Sequence, residues 1–181
     1  IFLLTPLIDN YGQGIKRDSL LSLLPEQKED TNKVNLLYAI GDAFENSSPD
    51  TARHFIRIGG ELSKKINYTS GIQKFYRHIA YIFAVQSKYD SVLYYNRLGL
   101  ELAKSKRDTF SIGVSLFNIG IAYRLMSDYE NAVVYNLEGA KLLEGKGYTN
   151  IEASLYDGLQ VLYMSLAQYD QAIYYGEKAV S

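Results

Sequence analysis

The chain has 181 residues, enough for one domain or one extended array with a real core. Its 19 basic and 20 acidic residues nearly cancel, which argues against a nucleic-acid partner, because a phosphate backbone calls for a basic surface. Cysteine is absent, so there is no disulfide, thiol nucleophile or thiolate-held metal; tryptophan is absent too, while tyrosine reaches 17.

The chain opens on an apolar run, Ile1-Phe2-Leu3-Leu4-Thr5-Pro6-Leu7-Ile8, followed by Asp9-Asn10-Tyr11-Gly12-Gln13-Gly14. An apolar core followed by small and polar residues has the pattern of the end of a secretory signal peptide. Residues 1–14 are therefore expected to be a leader remnant, with a cut near Gln13, and the protein to be exported to the periplasmic side. The alternative is a packed N-terminal strand or helix on a cytoplasmic protein. No stretch of about 18 apolar residues follows, so no membrane-spanning helix is predicted. Residues 15–30 are expected to form a capping helix and linker.

From residue 31 the chain repeats itself. Lys88-Tyr89-Asp90, Asp128-Tyr129-Glu130 and Gln168-Tyr169-Asp170 stand 40 residues apart, and the register holds for Thr69, Thr109 and Thr149, for Phe83, Tyr123 and Tyr163, and for Gly99, Gly139 and Ala179. Four repeats follow, at 31–68, 69–108, 109–148 and an incomplete 149–181. Each reads as two helices. The first carries an apolar stripe at i, i+3, i+4 and i+7: Leu36, Ala39, Ile40, Ala43; then Tyr76, Ile79, Ala80, Phe83; then Leu116, Ile119, Gly120, Tyr123; then Tyr156, Leu159, Gln160, Tyr163. Thr69, Thr109 and Thr149 are expected as helix N-caps, Thr149 forming a capping box with Glu152. Ser48-Pro49-Asp50 predicts the start of a second helix. Glycine inside a helix costs about 1 kcal/mol relative to alanine. Gly59, Gly99 and Gly139 nonetheless recur in register, which predicts close approach of helix backbones there.

These positions resemble the tetratricopeptide repeat, with small residues at the eighth, twentieth and twenty-seventh places and aromatics at the eleventh and seventeenth. Gly120, Tyr123, Tyr129, Ala132 and Gly139 fill them in repeat three. Ile40 and Gln160 at the eighth place, Ala43 at the eleventh and Val92 at the twentieth depart from that pattern. The resemblance covers about residues 30 to 181 and implies an all-α fold, a right-handed α-solenoid of antiparallel helix pairs. The leader-like start, with Arg17-Asp18-Ser19-Leu20 and Asn46-Ser47-Ser48-Pro49-Asp50, is also similar to the exported sensor regions of Bacteroides-type histidine kinases and regulators. That second resemblance implies the sensor or interaction region of a larger bacterial signalling protein, which would meet a membrane only through segments outside this chain. A cytoplasmic peptide-responsive regulator and a stand-alone assembly scaffold stay open beside it.

No chemistry of reaction is legible. Two histidines, His54 and His78, lack the spacing of a metal pair, and neither a phosphate-binding loop nor a nucleophile with its base occurs, so no cofactor, metal or catalytic residue is expected. The expected partner is a protein or peptide, with self-association kept open. The face of each first helix opposite its stripe is the candidate binding groove. It holds Tyr38 in repeat one, Lys74, His78 and Tyr81 in repeat two, and Asn118 and Ile121 in repeat three, with Arg77, Arg124 and Asp157 flanking. Apolar surface rimmed by charge suits an interaction site. The expected ligand is an acidic, partly apolar segment across repeats two and three. Lys74 and Arg77 would pair with its carboxylates, Tyr81 and Ile121 would take its apolar side chains, and Asn118 would hold its backbone.

Overall fold

The computed structural model describes residues 17–45 and 47–180. The leader expected at residues 1–14 lies outside them. Residues 17–23 are helical and run into a 3-10 turn at Leu24–Glu26. Then come α1 (Thr31–Phe44), α2 (Pro49–Lys65), α3 (Thr69–Val85), α4 (Tyr89–Lys106), α5 (Thr109–Leu125), α6 (Tyr129–Leu143), α7 (Thr149–Ser165) and α8 (Tyr169–Val180). Among the described residues there is no strand, and no helix is long and apolar enough to cross a membrane. The chain packs as two compact units, Ile1–Ile82 and Phe83–Ser181, called the N-terminal and C-terminal halves below.

The helices are cut to length by one turn used over and over. Asn67, Ser87, Arg107, Ser127, Gly147 and Ala167 all have positive φ, and they stand 20 residues apart. After each of five helices the next N–H closes back on the last turn: Tyr68 to Ser63 O, Lys88 to Phe83 O, Asp108 to Ala103 O, Asp128 to Tyr123 O and Gln168 to Tyr163 O, at 2.8–3.1 Å. This six-residue closure with a left-handed residue satisfies carbonyls that the helix end would otherwise leave open. Only Gly147 takes that conformation without steric cost.

Helix starts differ from expectation by one residue. Thr69, Thr109 and Thr149 are the first helical residues rather than caps. Asp108 precedes Thr109 and accepts from Ser111 N–H at 3.0 Å, because a carboxylate at the position before the helix reaches the free N–H groups first. Asp30 and Asp128 cap α1 and α6 in the same way. No Thr149–Glu152 capping box forms; Glu152 Oε1 is buried without a hydrogen-bond partner. Ser48 does precede α2, with Pro49 in its first turn, but its hydroxyl meets that of Thr51 at 2.8 Å rather than a backbone N–H.

In the N-terminal half the core is Val34, Leu37, Tyr38 and Ile40 of α1, Ala52, Ile56 and Leu62 of α2, and Phe75, Ile79, Ala80 and Ile82 of α3. In the C-terminal half Leu116 and Ile119 of α5, Ala132, Ala140 and Leu143 of α6, and Leu155, Leu159 and Leu162 of α7 are buried. One aromatic stack recurs in register there: Phe83 on Tyr95, Tyr123 on Tyr135 and Tyr163 on Tyr175, at 5.4–5.6 Å and within 16° of parallel. Each joins a first helix to its own second helix, which accounts for part of the tyrosine excess. Tyr94 and Tyr174 stand exposed, edge-on to Tyr95 and Tyr175. Lys178 ties α8 down, bonding Glu144 Oε1 at 2.9 Å and lying over the Tyr156 ring.

Gly59 and Gly139 admit side chains rather than neighbouring backbones, which corrects the expectation at these two positions. A Cβ on Gly59 would lie 2.8 Å from the Tyr38 ring, and one on Gly139 would lie 3.0 Å from Leu155 Cδ2. Knobs from the facing helix occupy the space, as ridge-into-groove packing requires.

Candidate functional site

In the N-terminal half the expected groove residues separate. Tyr38 is a core residue, 3% exposed, so it does not line a groove. Its hydroxyl donates to Gly71 O at 2.7 Å and lies 3.2 Å from Ser63 Oγ, and burial pushes its pKa up to about 12. The error has a physical cause. On α1 the opposite face is closed over as well, by Ile56 of α2 at Gly41 and by Gly71 and His78 of α3 at Tyr38, so its buried arc is wider than one stripe. His78 is half-buried, stacked on Tyr38 at 5.3 Å, with Nδ1 3.0 Å from Asp42 Oδ1. Glu45 is held above the usual carboxylate range, first by burial and then by the Asp42 charge. Lys74 Nζ donates to Asn35 Oδ1 at 2.9 Å. Arg77 and Tyr81 are exposed on α3.

In the C-terminal half the residues converge. Ile121 and Arg124 of α5 and Asp157 of α7 line one groove of about 320 Å³ between these two first helices. Phe117 and Gly120 of α5, with Ser154, Gly158 and Val161 of α7, complete its walls. Ile121 is half-buried and Val161 is exposed, so the apolar strip faces outward between a cation on one wall and an anion on the other. Among the described residues neither Arg124 nor Asp157 is in an ion pair. Asn118 does not join this lining; it is half-buried, and its backbone carbonyl accepts from Asn96 Nδ2 at 3.2 Å.

The groove has a residue that reading the first helices alone overlooks. Asn136 of α6 reaches it from behind. It is 2% exposed, and its Oδ1 is buried with no hydrogen-bond partner. A Cβ on Gly120 would lie 2.1 Å from that oxygen, and one on Gly158 would lie 2.5 Å from Nδ2. Two glycines on two helices thus clear room for one amide. The signal was present in the register: Ile56 holds this position in repeat one, whereas Asn96 and Asn136 put amides at what is otherwise a core position.

No family model matches the sequence, and no curated protein matches it. Solved structures do. A signal-transduction ATPase with numerous domains and a tetratricopeptide repeat sensor, from Pyrococcus horikoshii, superposes with a TM-score of 0.76 at 24% identity, over 88% of this chain and 25% of that one. A Rap protein complexed with competence and sporulation factor gives 0.82 at 14% identity, over 96% of this chain and 50% of that one. A putative kinesin light chain from Podosopora anserina, with nearly identical TPR-like repeats, gives 0.72 at 10% identity, over 94% and 87%. The fold is that of the tetratricopeptide-like helical repeats. This chain spans a quarter of the first of these proteins and half of the second, and the likeness at these identities is one of fold. In tetratricopeptide-like terms the groove lies between the first helices of repeats three and four, with a second-helix amide at its floor.

Proposed function

We propose that this chain holds a protein or peptide segment and serves as the sensor or interaction region of a larger signalling protein, without a catalytic step of its own. The observation that carries the reading is the α5–α7 groove, where an outward apolar strip lies between Arg124 and Asp157, neither in an ion pair among the described residues, over a buried amide whose Oδ1 lacks a partner. Apolar contact gives affinity while a few polar groups fix orientation. Two of the similar structures lend support: one carries its repeats as a sensor, and the other is complexed with a competence and sporulation factor. The second of these also favours the alternative of a peptide-responsive regulator. The export expectation belongs to this proposal and rests on the sequence of residues 1–14.

Selection of random linear peptides displayed on phage against the purified chain tests the reading. Convergence on a shared sequence, absent from a tag-only control, is expected. A pool that stays random through successive rounds contradicts it.

A further inference from the structure

We infer that the α5–α7 groove selects a charge-balanced extended segment, one large apolar residue flanked by an acid on one side and a base on the other, with its backbone held by Asn136. This rests on the segment-holding reading above and names the chemistry that the site accepts.

The amide comes first. Asn136 is almost wholly buried, yet its Oδ1 has no partner. Leaving a buried acceptor unmet is costly, and such groups in a native structure call for an explanation. Its register counterpart is tied through the other amide atom: Asn96 Nδ2 donates to the backbone carbonyl of Asn118, on the next first helix. At the corresponding place beside Asn136 the next first helix has Gly158, and the groove opens there. A carboxamide both donates and accepts, so it matches the N–H and C=O of an extended backbone, and no second side chain is needed to read them. Gly120 and Gly158 leave the room that this amide fills; a side chain on either would press on it.

The walls decide the flanking residues. Phe117, Ile121 and Val161 give an apolar strip, and about 320 Å³ accommodates one large side chain with its backbone. Arg124, on α5, offers a planar fork to a carboxylate. Asp157, on α7, offers a carboxylate to a cation. A wholly acidic segment would set a like charge against Asp157, so the acidic ligand expected from sequence gives way to one carrying both signs.

The phage selection is repeated with Arg124→Glu, Asp157→Lys and Asn136→Leu, each checked for helicity by circular dichroism. The parent pool is expected to carry an apolar residue between one acidic and one basic residue. Arg124→Glu should exchange the acid for a base, and Asp157→Lys should exchange the base for an acid. For a synthetic peptide of the parent consensus, Asn136→Leu should weaken binding about tenfold or more, while its melting temperature holds or rises because an unmet polar group has gone. A consensus that ignores Arg124→Glu and Asp157→Lys, or a peptide affinity unchanged by Asn136→Leu, overturns the subsite and leaves the holding function standing. No consensus at all removes the holding function, and the subsite with it. Both charge variants lie on the exposed rim, so their reading does not depend on how well a core substitution folds.

Discussion

Repeats one and three use the same register for opposite ends. Repeat one places Ile56 in the middle of its second helix, against the space left by Gly41, and adds Tyr38 on the first helix. The Tyr38 ring fills the hollow at Gly59, and its hydroxyl ties α1 to Ser63 and Gly71. Repeat three places Asn136 where Ile56 stands, and its next first helix has Gly158 where repeat one's next first helix has His78, stacked on Tyr38. Two substitutions at matching positions thus separate a sealed core from an open groove with an unmet amide. A repeat architecture lets this happen because each unit packs mainly on its neighbours, so one position can trade packing for recognition without refolding the rest.

The sealed side should be the fragile one. Tyr38→Ala is expected to lose about 3–5 kcal/mol in urea unfolding, as large aromatic truncations in cores do. Tyr38→Phe keeps the ring and removes the bonds to Gly71 and Ser63, which should cost about 1–3 kcal/mol. Ser154→Ala on the groove wall should stay within about 0.5 kcal/mol, since its hydroxyl is exposed and bonds only to Asn150 O one turn back. Equal losses for Tyr38→Phe and Ser154→Ala would erase the contrast between the two repeats.

Packing at the small positions comes next. Gly139→Leu must displace Leu155, already at contact distance, and should cost about 1–3 kcal/mol by overpacking. No loss in a thermal melt would remove the argument that this glycine admits a knob from α7.

Alkaline pH sharpens the comparison further. The Tyr38 pKa is raised from 10.0 to about 12, with burial the largest cause. Stability from its neutral hydroxyl is therefore complete below pH 10 and is lost as pH rises through about 12. Tyr156, Tyr163 and Tyr175 are also raised by burial, so the parent should weaken over this range through several groups. Tyr38→Phe should flatten part of that decline. A decline of unchanged depth in the variant would deny Tyr38 its share.

The smallest effect belongs to a turn. Ala167 has φ of +57°, where a side chain is strained. Ala167→Gly relieves that strain against the entropy glycine adds to the unfolded chain, so a net gain below about 1 kcal/mol is expected.

The fold was readable because its signals are periodic. The 40-residue register, the recurring tyrosines and the Ser48-Pro49 start all point to paired helices, and the helices lie where that register puts them. The site was readable only in part. Ile121, Arg124 and Asp157 do share a groove, since on α5 and α7 the face opposite the stripe is open. Tyr38 is not a groove residue because Gly71 and His78 of α3 close over it, a contact that periodicity within one helix cannot reveal. Asn136 was overlooked because it sits on a second helix. Its meaning depends on Gly120 and Gly158, which are distant in sequence and come together only in the fold.

The measurement that bears most directly on the central claim is backbone hydrogen–deuterium exchange, with and without a saturating peptide of the selected consensus. Exchange should slow in α5 around residues 117–124 and in α7 around residues 154–161, while α1 and α2 stay unchanged. Slowing confined to the N-terminal half, with α5 and α7 untouched by a peptide that binds, would contradict the account.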